Sequence, residues 1–196
     1  MYEAIRQYIG KITSSVISDE EFKHVEEAFQ PKKVKKRQFL SHEGSVCQHM
    51  AFIVNGAMRQ YVIDSKGVEH IVRFGIEGWW MSDRESFSML TPSKYNIEAV
   101  EDSDLLITTK EKITHLKDRS PLFLKMAHVL DENNFIASNN RIEANISFTA
   151  EEKFQQLMKS NPAFIRRFPQ TMLASYLGIS PETLSRIRKQ MYAKKE

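Results

Sequence analysis

The chain has 196 residues, 41% of them apolar and 27% charged, with a net charge of +3. It is long enough to bury a core without disulfides, and no run approaches the roughly 18 apolar residues of a membrane span. Cys47 is the single cysteine, which excludes a disulfide framework and a four-cysteine iron–sulfur or zinc site within one chain.

No apolar signal core follows Met1, so the expected setting is the cytoplasm, with no membrane partner. Residues 1–30 are expected to be helical. Ser18-Asp19-Glu20-Glu21 reads as a capping box, with Ser18 as N-cap and Glu21 returning the hydrogen bond, and Phe22, Val25 and Phe29 follow at helical spacing. Pro31-Lys32-Lys33-Val34-Lys35-Lys36-Arg37 resembles a nucleic-acid patch but is read as a strand edge, where lysines discourage edge-to-edge pairing.

From 38 to 109 short β-like runs alternate with turn signals. The runs are 38–40, 51–54, 58–63, 70–74, 95–100 and 104–109, a spacing that indicates a barrel or jelly roll. Asn55-Gly56 suits a tight turn needing positive φ. Trp79-Trp80 suits a ligand pocket or the barrel core equally.

Residues 121–146 read as one helix of about 39 Å, capped by Ser120 and started by Pro121. Phe123, Met126, Leu130, Asn133, Ala137, Asn140 and Ala144 recur at alternating spacings of three and four, and Val129 and Ile136 widen the stripe. Such a seam predicts a two-stranded coiled coil and a homodimer, with the seam asparagines fixing register. The alternative is a helix packed only on its own barrel. Thr149-Ala150-Glu151-Glu152 is a second capping box, so the domain boundary is expected between a sensor region, 1–147, and a C-terminal domain, 148–196.

The C-terminal domain carries the strongest pattern. A helix from about Pro169 to Leu177 is followed by Gly178 as the turn, Ser180 as N-cap and Pro181 as the first residue of a second helix. Leu173, Ala174, Leu177, Ile179, Leu184 and Ile187 form the small core, leaving Pro181, Glu182, Ser185, Arg186 and Lys189 on the outer face. This is a helix-turn-helix, which places its second helix in the DNA major groove. From Asn161 to Lys195 seven basic residues face one acid, Glu182, so a basic module sits on a slightly acidic body. Arg186 can pair bidentately with guanine, and Glu182 can accept from cytosine. Gln170, Thr171, Ser180, Thr183, Arg188 and Lys189 suit phosphate contacts. Double-stranded DNA is therefore the expected partner.

The order of barrel, long helix and helix-turn-helix resembles the Crp/Fnr family of bacterial transcription regulators across nearly the whole chain. Gly178-Ile179-Ser180-Pro181-Glu182-Thr183-Leu184-Ser185-Arg186-Ile187 is similar to that family's G-x-S-x-E-T-x-x-R-[IL] recognition helix, and Phe52-Ile53-Val54-Asn55-Gly56 to its hydrophobic strand ending in a turn glycine. The resemblance implies an α+β fold. An N-terminal β jelly roll like a cyclic-nucleotide-binding domain would carry a long dimerisation helix. An all-α, winged-helix-like helix-turn-helix would follow, lacking most of the wing because only seven residues follow Lys189. It further implies a non-enzymatic, sequence-specific transcription regulator with RNA polymerase as a further partner.

Gly78-Trp79-Trp80-Met81-Ser82-Asp83 lies where this family places its phosphate-binding cassette. Members that bind cyclic AMP carry Gly-Glu there, then an Arg-Ser or Arg-Thr pair. Here Ser82-Asp83 and Ser93-Lys94 occupy those places, and Ser138 and Asn139 lie where the long helix reaches the base. A planar Arg fork is the expected partner of a phosphate, so cyclic AMP is not expected as a cofactor; another effector, or none, is. A heme role would need a placed axial ligand, and the six histidines show no spacing that marks one. The competing class is a small-molecule-binding or metal-dependent barrel, an enzyme with an accessory helical tail. Its only loose ligand candidates are His42-Glu43, His49 and Glu69-His70.

Overall fold

The computed structural model describes residues 1–193. In chain order the elements are α1 (Tyr2–Thr13), α2 (Asp19–Ala28), β1 (Gln30–Val34), β2 (Phe39–Ser41), β3 (Met50–Asn55), β4 (Met58–Ile63), β5 (Glu69–Gly75), β6 (Trp80–Met81), α3 (Arg84–Met89), β7 (Asn96–Ala99), β8 (Ser103–Thr108), α4 (Lys110–Arg119), α5 (Pro121–Ser147), α6 (Ala150–Ser160), α7 (Pro162–Arg167), α8 (Gln170–Leu177) and α9 (Pro181–Ala193). The short elements β6, α3, α4 and α7 lie outside the predicted runs. Any wing would have to follow Ala193, outside the described residues.

The strands form two four-stranded antiparallel sheets, β1-β8-β3-β6 and β2-β7-β4-β5, the jelly roll expected from strand spacing. Period-2 alternation decides which side chains meet. Ala51 pairs with Ile107 and Ile53 with Leu105, and all four point between the sheets, with Met58, Met81, Ile97 and Ala99. Phe52 and Leu106, directly opposed between them, face outward into a helical layer holding Ile5, Ile9, Phe22, Val25 and Phe123. The lysine-rich segment is β1, at the edge of its sheet, with Lys33 on Asp104 at 3.1 Å and Lys35 on Asp102 at 2.8 Å. Gly56 closes the β3–β4 turn at φ +104°, and a Cβ there would lie 2.2 Å from the Ser103 Oγ. Only glycine meets both conditions.

Two corrections concern helices. Ser18 caps α2 by accepting from the Glu21 N–H at 3.1 Å, but Glu21 does not return the bond. Its carboxylate accepts instead from the Ser120 hydroxyl at 2.6 Å and the Leu122 N–H at 2.9 Å, at the start of α5. The nearby orphan donors of a long helix are the stronger attraction for an anion. The Thr149 box does form, with both reciprocal bonds to Glu152.

The second correction is the helical seam. Phe123 and Met126 are buried against this chain's own α1, α2 and barrel, Leu130 packs beside them, and Ala144 is also covered. These positions are therefore not free to meet a second chain. Farther along, Asn133, Ala137 and Asn140 are exposed, but they border a cavity between α5 and the barrel. The apolar side chains that α5 leaves in solvent are Phe135 (69% exposed), Ile136 (51%), Ile142 (58%) and Ile146 (81%). Phe135, Asn139, Ile142 and Ile146 also follow four-three-four spacing, two positions out of step with the predicted stripe and so roughly 200° around the helix. The helix has two stripes, and the first half of the predicted one, Phe123 to Leu130, packs on this chain's own barrel and N-terminal helices.

The C-terminal helices pack on the outer face of the second sheet. Tyr61, Ile71 and Phe74 of the barrel join Phe154, Leu157, Phe164, Phe168, Leu173, Leu177, Leu184 and Ile187 in one core. Phe74 stacks on Phe168 with ring centroids 3.9 Å apart. A bulge makes this possible. Gln60 pairs with Arg73 and Tyr61 with Ile71, so Val72 is the extra residue, and Ile71 and Phe74 reach the same face.

Candidate nucleic-acid interface and effector cavity

Gly178 ends α8 in the left-handed conformation, φ +68°, with its N–H returned to the Ala174 and Ser175 carbonyls. The turn delivers Ser180, whose hydroxyl accepts from the Thr183 N–H at 3.2 Å and starts α9. Leu184 and Ile187 are buried under the helix. Pro181, Glu182, Ser185, Arg186 and Lys189 consequently line one open, solvent-facing groove with Gln190. These are the five outer-face residues expected from the sequence. A hydrogen bond from its own N–H, and then one from Ser180, hold the Glu182 carboxyl below the ordinary glutamate range, so it is an anion and an acceptor at neutral pH.

The expected phosphate contacts divide. Thr171 and Lys189 are exposed. Gln170 donates to the Pro181 carbonyl at 3.3 Å and accepts from Arg188 at 3.5 Å, which ties α8 to α9. The Ser180 and Thr183 hydroxyls bond each other at 3.1 Å. Arg167 is turned away from this face altogether and grips Glu77 and Glu101 of the barrel.

A cavity of about 1160 Å³ opens where barrel, α5 and the C-terminal helices meet. Of the residues expected at the effector site, Ser82, Asp83 and Ser138 line it, whereas Ser93, Lys94 and Asn139 do not. Asp83 is the N-cap of α3. Its carboxylate accepts from the Glu85 N–H at 3.1 Å, the Ser86 N–H at 3.2 Å and the Ser93 hydroxyl at 2.8 Å, so its acceptor capacity serves the fold. Lys94 points to solvent and pairs with Glu85 at 3.2 Å, which raises its pKa. Both tryptophans combine the two roles open to them. Trp80 packs among Tyr8, Phe29, Phe52 and Phe123, Trp79 packs on Phe164, and both border the cavity.

Residues 31–120 match the cyclic nucleotide-binding domain family. The barrel resembles a cyclic nucleotide-binding domain. Solved structures extend the likeness over the C-terminal helices. FixK2 from Bradyrhizobium japonicum is 16% identical, with 85% of this chain and 86% of that chain covered and a TM-score of 0.71. CLP from Xanthomonas campestris, described as a c-di-GMP-responsive global regulator, is 12% identical over 91% and 93%, with a TM-score of 0.70. The Thermus thermophilus catabolite activator protein is 18% identical over 94% and 88%, with a TM-score of 0.57. The chain thus has the fold of Crp/Fnr regulators. No curated protein sequence matches it.

Within the barrel, the loose metal-ligand candidates are dispersed. His42 stacks on Phe39, Glu43 accepts from Asn96, Glu69 pairs with Arg59, and His70 meets Asp64 at 2.8 Å. Burial holds the pKa of His49 below the ordinary histidine value. Among the described residues no group of three His, Cys, Asp or Glu side chains converges on a metal position, and no helix is long and apolar enough to cross a membrane.

Among the cavity residues that the sequence reading missed are Arg73, Asn134 and Arg141. Arg73 donates to the Asn134 Oδ1 at 2.9 Å, and Arg141 donates to the carbonyls of Val72 and Ile71 at the β5 bulge and reaches the Tyr176 carbonyl at 3.5 Å. The only sequence signal was an arginine inside the apolar run of β5.

Proposed function

We propose that this protein is a homodimeric, sequence-specific DNA-binding transcription regulator of the Crp/Fnr type, and that it does not use cyclic AMP. The exposed face of α9 supports this reading most directly, because Glu182, Arg186 and Lys189 share one unobstructed groove. In a dimer, two such helices would enter successive major grooves about 34 Å apart, on a palindromic site. Phe135, Asn139, Ile142 and Ile146 form the proposed dimer seam. RNA polymerase is the natural further partner of such a regulator.

The cassette residues support the exclusion of cyclic AMP. Asp83 is consumed as a helix cap, and the Lys94 ammonium, which does not line the cavity, is already paired with Glu85. Calorimetric titration with cyclic AMP should give no binding; low-micromolar affinity would overturn this part. For DNA, selection from a random duplex library should recover a palindrome. Arg186→Ala should weaken that site by about 1–3 kcal/mol per half-site and relax the base it reads. Lys189→Ala should weaken all sequences alike and lower the salt dependence. An Arg186→Ala protein with unchanged affinity and base preference would refute the docking.

A further inference from the structure

Among the arginines that line the cavity, one side chain stands apart. Four carboxylates line the cavity, and each is already engaged: Asp83 caps α3, Glu77 holds Arg167, Glu85 holds Lys94, and Asp131 holds Arg84 at 2.5 Å. Arg141 spends its donors on backbone carbonyls and lies over the Tyr176 ring. Arg73 alone of these cavity arginines has neither arrangement. Its one hydrogen bond among the described residues goes to a neutral amide, Asn134, and no carboxylate of those residues lies within ion-pair distance. Burial, and then the like charges of Arg84 and Arg141, hold its pKa below the ordinary arginine value. A guanidinium still remains a cation at neutral pH, with five donors and no acceptor. Arg73 is half-buried, so a charge there without a counter-charge costs stability, and a fork of free N–H donors matches a carboxylate or phosphate.

We infer that Arg73 is the recognition residue for a small organic anion, carrying a carboxylate or phosphate, that binds in the cavity between barrel and α5. Asn134 holds the guanidinium in place, and the aromatic walls of Trp79 and Tyr176 receive the ligand's body. The site differs from the cassette positions Asp83 and Lys94, which the fold has diverted. It is also placed to matter, since the barrel, α5 and α8 all border it. A bound anion would therefore touch all three moving parts of the proposed regulator. This inference rests on the regulator reading only for its purpose, not for binding itself.

The test is calorimetric titration of the full chain with phenyl phosphate and with inorganic phosphate, without DNA, paired with thermal melting. Wild type should bind phenyl phosphate saturably at one site per chain, and more tightly than inorganic phosphate. Arg73→Gln should weaken binding at least tenfold, while Lys94→Ala should leave it unchanged. Without anion, Arg73→Gln should melt at or above wild type, because a half-buried charge without a counter-charge has gone; at saturating phenyl phosphate the order should reverse. Failure of wild type to bind either probe, equal binding by Arg73→Gln, or a lower melting temperature for Arg73→Gln without anion would each overturn the inference. An Arg186→Ala protein with unchanged DNA affinity and base preference would refute the regulator reading while leaving these titrations unaffected.

Discussion

Arg167 of α7 holds Glu101 of the barrel with two parallel bonds, Nε to Oε1 at 3.1 Å and Nη2 to Oε2 at 2.6 Å. The same guanidinium also reaches Glu77, with Nη2 to Oε1 at 3.0 Å. A basic residue of the C-terminal helices is thereby spent on docking them to the barrel. The paired carboxylates hold its pKa above the ordinary arginine value. Burial works to raise the Glu77 carboxyl, but Arg167 and the Gly56 N–H outweigh it and leave the group below the ordinary glutamate range.

Arg167→Ala should cost about 1 kcal/mol, because the pairs are bidentate but partly screened by solvent. Urea denaturation should show the loss, together with faster proteolysis in the 148–169 region. The pH dependence follows from Glu77. Its depressed folded pKa means the stabilisation is full above the ordinary glutamate value and fades as pH falls through the lower folded value. Wild type should lose this contribution in acid, and Arg167→Ala should show a flatter stability profile there.

A more buried network should be costlier to break. Arg59 donates to Glu98 at 2.7 and 3.1 Å inside the second sheet, pairs with Glu69 and lies over the Tyr61 ring. Glu98→Ala removes the more buried of the two carboxylate partners of Arg59 and leaves it only Glu69, so a loss of about 1.5–3 kcal/mol is expected in denaturant unfolding. Replacing both Arg59 and Glu98 with apolar residues of similar volume should cost less than Glu98→Ala alone.

Two glycines with positive φ should respond differently to alanine. At Gly56 a Cβ meets the Ser103 Oγ and Cα at 2.2 and 2.7 Å, whereas at Gly67, φ +78°, it meets open space. Gly67→Ala should cost about 1–2 kcal/mol from backbone strain alone. Gly56→Ala should cost distinctly more, or prevent soluble expression, because Ser103 must also move. Comparable melting temperatures for the two variants would contradict this.

The two stripes of α5 make opposite predictions. Ile142→Glu with Ile146→Glu should dissociate the proposed dimer in sedimentation equilibrium while leaving the monomer folded. Phe123→Ala should leave the oligomer's interface intact but destabilise each chain by about 3–5 kcal/mol. A monomeric wild type, or a dimer unaffected by the double substitution, would contradict the seam.

Local chemistry made several features legible from the chain alone. Gly178, Ser180 and Pro181 specify a turn, a cap and a helix start without help from distant residues, so the reading face of α9 followed directly from 3.6-residue periodicity. The same holds for Asn55-Gly56, the lysine-rich edge strand and the Thr149 box. What required the third dimension was the choice among equivalent partners. A heptad stripe states that one helix face is apolar, not which surface covers it, and in α5 the barrel claims Phe123 and Met126 while Phe135, Ile142 and Ile146 stay in solvent. A capping glutamate states that a carboxylate is near a helix start, and Glu21 served α5, a hundred residues away in sequence. A basic residue near a helix-turn-helix suggests a phosphate, and Arg167 found Glu101. Arg73 is the clearest case: only the folded chain assigns every cavity carboxylate to another partner, and pairing between residues far apart in sequence has no periodic signature to read.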